Sequence, residues 1–152
     1  ARFLLVQVFD NQGKLLDAIK RAEELAAFNI NDIGVLFQLG FLYYKNGDFD
    51  KSRQVFEKTI GLSQNYSNAR YFLGLIYDGS TSLTTSEAKA KSIEQFTKIA
   101  ELNPDNAEVK QILSNLKANK SALTGIAPPA PQNRPVAPIS DGAKTPVQKL
   151  KK

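Results

Sequence analysis

With 152 residues, 42% of them hydrophobic, the chain can form one ordinary domain with a tail and needs no second core. It contains no histidine, cysteine, methionine or tryptophan, which removes the commonest general base, the thiolate nucleophile and the usual ligands of zinc, copper and haem; no catalytic residue, metal or cofactor is expected. The formal charge of +5 is uneven: from residue 128 onward Arg134, Lys144, Lys149, Lys151 and Lys152 face only Asp141, a net +4, so residues 1–127 are nearly neutral and present no nucleic-acid surface.

In chain order, Phe3, Leu5, Val6 and Phe9 form a first apolar segment that stops at Asn11-Gln12-Gly13. From Lys14 to Phe28, the residues Leu15, Ala18, Ile19, Ala22, Leu25 and Ala26 recur three and four apart, as on one face of a helix. Together these predict a first hairpin at about 1–30. Asn31 and Asp32 are good N-caps for a second helix that runs to Lys45 and closes on Asn46-Gly47, a pair suited to a left-handed C-cap. Phe49 to Leu62 is its returning partner, which completes a hairpin at about 31–64. A third, at about 65–103, opens near Ser67 and runs through Tyr71, Phe72, Leu73, Leu75, Ile76 and Tyr77 to Asp78-Gly79. Its second helix resumes at the capping box Thr84-x-x-Glu87. Asn103-Pro104-Asp105 ends it, and Asp105-x-x-Glu108 opens a cap at 105–120 whose Glu108, Lys110, Gln111 and Asn115 read as a water-facing side. Residues 121–152 hold six of the seven prolines and no aromatic residue, the composition of a disordered or polyproline tail.

Leu39, Gly40 and Tyr43 recur as Leu73, Gly74 and Tyr77 at a spacing of 34 residues, a period that fits a two-helix repeat. The counterpart of Phe56 is Phe96 rather than residue 90, so about six residues are inserted, and Gly79-Ser80-Thr81-Ser82-Leu83-Thr84 reads as the lengthened turn. No run approaches the roughly 18–20 apolar residues of a membrane-spanning helix. The chain starts without methionine in the apolar run Ala1 to Val6, as a piece of a longer protein cut inside a helix would.

Tyr43-Tyr44-Lys45-Asn46-Gly47-Asp48-Phe49-Asp50-Lys51-Ser52 followed by Phe56-Glu57-Lys58-Thr59-Ile60 resembles the tetratricopeptide repeat. Gly40 and Gly74 match the family's small position in the first helix, Ser52 and Ser92 the small position in the second, and Pro104 the closing proline, where the preceding repeat has Gln64. Val6 departs from the pattern, standing where a glycine is expected. The resemblance covers about residues 1–119 and implies an all-α right-handed solenoid of antiparallel hairpins with a capping helix. The pattern also looks like repeat segments at the C-terminal end of bacterial membrane proteins related to O-antigen ligases. That likeness would make the chain a soluble regulatory or substrate-handling appendage of a membrane-tethered, glycan-related parent enzyme.

In the tetratricopeptide family the first helix of each pair lines a concave groove that takes peptides. Carried over, the groove positions are Phe37, Phe41, Tyr44 and Lys45 in one repeat and Asn68, Tyr71, Leu75 and Asp78 in the next. Of these, Phe37, Phe41, Tyr44, Tyr71 and Leu75 are the expected partner-binding residues, for a protein or peptide partner or a second copy of the chain. Tyr44 and Tyr71 read equally as plain packing between repeats, and Phe37, Phe41 and Leu75 either as such a groove or as simply buried. The lysine, arginine and asparagine set that grips a peptide carboxylate in one subgroup is replaced by Phe37, Phe41, Glu108 and Gln111, so an apolar or amphipathic segment fits better. Pro128 to Pro131 and Pro135 to Pro138 read either as polyproline ligands or as a spacer. Carboxylate pairs such as Asp48 with Asp50 or Glu23 with Glu24 point to different sides of a helix and do not converge on one atom.

Overall fold

A computed structural model describes residues 13–126. The apolar segment at 1–10 and the proline-rich stretch from 127 lie outside the described residues. Among those described there are six helices: α1 Leu15–Phe28, α2 Ile33–Asn46, α3 Phe49–Leu62, α4 Ser67–Asp78, α5 Thr85–Leu102 and α6 Ala107–Lys117. None is long and apolar enough to cross a membrane.

The helix ends follow the local signals. Asp32 caps α2 by accepting from the Val35 N–H at 3.0 Å. At its other end Gly47 takes φ +80, which lets the N–H of Asp48 reach the Tyr43 carbonyl and that of Gly47 reach Tyr44. Thr84 and Glu87 form the reciprocal capping box of α5. The start of α6 differs by one residue from the sequence reading, because Asn106 rather than Asp105 supplies the side-chain oxygen that accepts from Val109 N–H.

Packing runs between chain neighbours: α2 lies on α3 and α4 on α5, with α1 against α2, α3 against α4 and α5 against α6. Two buried clusters result. Ala18, Ile19 and Ala22 of α1 meet Leu39, Leu42 and Tyr43 of α2. A larger core gathers Phe56, Phe72, Leu73, Phe96, Ile99, Val109 and Ile112. An all-α stack of hairpins closed by a single helix is the architecture expected from the 34-residue period.

The two hairpins described in full, α2–α3 and α4–α5, are locked in the same way. The Ser52 hydroxyl donates to the Gly40 carbonyl at 2.7 Å, and the Ser92 hydroxyl to Gly74 at 2.8 Å. The Phe56 ring lies over Gly40 and the Phe96 ring over Gly74, so close that an added Cβ would stand 2.7 and 2.6 Å from the ring carbons. Glycine is required there for close approach, and the helical carbonyl gives the fully buried serine hydroxyl its hydrogen-bond acceptor.

A second repeated device joins successive hairpins. Tyr43 donates its hydroxyl to Glu23, and Tyr77 donates to Glu57 at 2.7 Å. Lys51 and Lys91 sit 5.4 and 5.2 Å from the centres of the same two rings. Burial first, then the glutamate hydrogen bond, pushes both phenols well above their ordinary value. Because the unfolded chain ionises these groups from about pH 10 while the folded chain keeps the protons, stability falls as pH rises past that point and is unaffected below it. A Tyr43→Phe/Tyr77→Phe variant is therefore expected to lose stability less steeply than the parent between about pH 10 and 11. Urea midpoints across that range measure the difference, and parallel curves would contradict it.

Candidate functional site

Helical spacing places Phe37, Phe41 and Tyr44 along one strip of α2. Phe37 and Phe41 stack nearly parallel, with centroids 6.2 Å apart and planes at 9°. All three rings rest on Phe72 of α4, at 6.3, 5.3 and 5.1 Å. Phe37 also meets Phe56 and Tyr66 at 5.8 and 5.4 Å. The three rings are half-buried, each resting on Phe72, with Phe56 also beneath Phe37. Lys45 stands 5.7 Å from the centre of the Phe41 ring.

The strip continues into a cavity of about 330 Å³. Its lining comes from Tyr44 at the end of α2, Phe49 and Arg53 of α3, Leu75 and Ile76 of α4, and the turn from Gly79 to Ser82. Phe49 meets Tyr44 edge-on at 5.5 Å and remains 50% exposed. Arg53 is held by both oxygens of Glu57, at 3.1 and 3.3 Å. The inserted turn thus contributes Gly79 to Ser82 to the lining of this cavity.

The structure brings four of the five expected residues together, with Phe37, Phe41 and Tyr44 on the strip and Leu75 in the cavity lining. Tyr71 is placed elsewhere. It is only 2% exposed, packs edge-on against Phe72 and Phe96 at 5.4 and 5.5 Å, and donates its hydroxyl to Glu108 of α6 at 2.8 Å. There it links α4 to the closing helix α6. Phe72, the ring on which the strip is built, was one apolar residue among several in the sequence; the signal was its place with Ala69 and Ile76 on a buried face.

Two further differences from the sequence reading concern the C-terminal end. Asn115 of α6 is buried instead of facing water, and Glu108 is half-buried at Tyr71. Residues 121–126, read from composition as the start of the tail, are packed: Ala122 is 1% exposed, and Leu123 and Ile126 lie against the larger core. Composition missed this because the segment has no helical periodicity: its backbone is held by Asp78 and Asn115, and Leu123 and Ile126 reach the core across the fold.

The family model of the tetratricopeptide repeat matches residues 33–66, from the start of α2 to the turn before α4. The match is to the repeat alone and does not extend to the O-antigen-ligase-related proteins. No curated protein matches the chain. With two hairpins locked by the same glycine, serine and phenylalanine contacts, one of them matched by that model, the described residues form an all-α, tetratricopeptide-like solenoid.

Proposed function

We propose that the array is a non-enzymatic protein-interaction scaffold that takes an apolar or amphipathic segment of a partner along Phe37, Phe41 and Tyr44 and seats one of its side chains in the cavity over Leu75. The observation that carries this reading is the mounting of the three rings: Phe72 supports all of them while they remain only half-buried, and Tyr44 lines an adjoining cavity. Rings already fixed lose little entropy on binding, which makes them efficient anchors. A volume of about 330 Å³ is near the lower limit for ligand pockets and suits a side chain or two better than a whole cofactor.

Peptides selected from a random displayed library against the full chain provide the test. Phe41→Ala and Leu75→Ala are expected to weaken the selected peptides by about 2 kcal/mol, roughly thirtyfold. Leu16→Ala, on the exposed side of α1, is expected to change nothing. If copies pair through the strip, sedimentation will show a dimer that Phe41→Ala disperses. Should neither affinity nor oligomeric state respond while the helical signal persists, the strip is packing and nothing more.

A further inference from the structure

Asp78 lies 34 residues after Tyr44, just as Leu75 follows Phe41 and Tyr71 follows Phe37. It therefore continues on α4 the strip that α2 carries as rings. On α2 that position lines the open cavity, but on α4 it is occupied by the chain itself. Asp78 accepts the Ala122 N–H through Oδ2 at 2.8 Å and pairs through Oδ1 with Lys89 Nζ at 2.6 Å. Lys89 Nζ also donates to the Lys120 carbonyl. From the other side, the Asn115 side-chain amide donates to the carbonyls of Ala122 and Thr124, at 2.9 and 2.8 Å.

The segment reaches this place by a sharp reversal. Asn119 takes φ +59, and the N–H groups of Lys120 and Asn119 return to the carbonyls of Asn115 and Leu116, a left-handed helix stop. Ala122 then enters a slot where it is 1% exposed, with Leu123 and Ile126 packed on the core. The contacts fall on main-chain groups, on one residue too small to obstruct them and on two apolar side chains. An asparagine, an aspartate and a lysine that read backbone around a small residue form the kind of site that binds a peptide segment.

We propose that Asp78, Lys89 and Asn115 form a second peptide-docking site, that Ser121–Ile126 fills it in cis as a tethered ligand, and that a partner segment with a small residue followed by an apolar one competes for it. The site stands apart from the α2 strip and needs no occupant there. When the segment leaves, Asp78, Lys89 and Asn115 become accessible to a partner; when it is seated, their polar groups are engaged by the chain itself. Tethering favours the cis occupant through a high effective concentration, so a competing partner must bind tightly or act where the segment is already loosened.

The test uses the full chain and a synthetic peptide with the sequence of residues 118–128. Ala122→Pro removes the N–H that Asp78 accepts, and Leu123→Ser removes the apolar anchor without touching the backbone. Either is expected to abolish the slow hydrogen exchange of residues 121–126 while leaving the helical signal of the array unchanged. The peptide is then expected to bind these variants at least tenfold more tightly than the parent chain, and Asn115→Asp added to Leu123→Ser should remove that binding. Equal binding to parent and variants, binding to none, or exchange protection that survives both substitutions would each overturn the proposal. Loss of peptide affinity at Phe41→Ala tests the α2 strip alone, so either site can fail without the other.

Discussion

Replacing Phe72 by alanine is expected to destabilise the array by about 3–5 kcal/mol, the range for truncating a buried phenylalanine. The ring touches Phe37, Phe41, Tyr44, Phe56 and Tyr71 at centroid distances of 5.1 to 6.3 Å, so five neighbours lose a face at once. They belong to α2, α3 and α4, and a cavity at that point cannot close by a small shift of one helix. Phe28→Ala, at a ring 75% exposed on α1, is expected to stay within about 0.5 kcal/mol of the parent. Urea unfolding followed by circular dichroism separates the two. Near-equal midpoints would mean that Phe72 does not join the hairpins. The same substitution is expected to weaken the peptides selected on the α2 strip even though Phe72 is buried, because the three rings would lose the surface that holds them.

Gly40→Val and Gly74→Val are each expected to cost about 3 kcal/mol, the upper part of the range for overpacking a core. The new Cβ would meet Phe56 or Phe96 at 2.7 or 2.6 Å, and both rings are fully buried with nowhere to swing. Any outward shift of the helix also stretches the serine-to-glycine hydrogen bonds at 2.7 and 2.8 Å. Phe96→Leu introduced with Gly74→Val should recover part of the loss, since a shorter side chain vacates the contested space; a strictly additive double variant would contradict the mechanism. Gly61 in α3 provides the opposite sign. A Cβ there meets nothing within 4 Å, so Gly61→Ala is expected to stabilise by about 0.5–1 kcal/mol through backbone entropy alone.

The two expectations show how function could be layered on a repeat. The lock of glycine, serine and phenylalanine recurs in both hairpins, and so does the tyrosine-to-glutamate bond between hairpins. What differs lies between and beyond these contacts: rings on α2 against leucine and aspartate on α4, a lengthened turn after α4, and a segment folded back after α6. Such departures cost the stack little, because each hairpin depends mainly on its neighbours.

How much of this was legible follows from how far each signal reaches along the chain. The 34-residue spacing, the caps at Asp32, Gly47 and Thr84, and the serine and glycine positions are local or periodic, and the sequence by itself determined from them the helices, their pairing and the closing cap. It also located the inserted turn, through the displacement of Phe96. Only the tertiary structure decided which side chains the stack would cover: it closed Tyr71 beneath α6, made Phe72 the common support of the α2 rings, and turned Asn115 inward to grip Ala122. The physical reason is that a helix face shows periodicity only, whereas burial, cavities and backbone docking depend on what lies across from that face. For Tyr71 and Phe72 those opposing groups come from other helices, and for Asn115 from the segment at 121–126 after a chain reversal at Asn119 that helical periodicity does not encode.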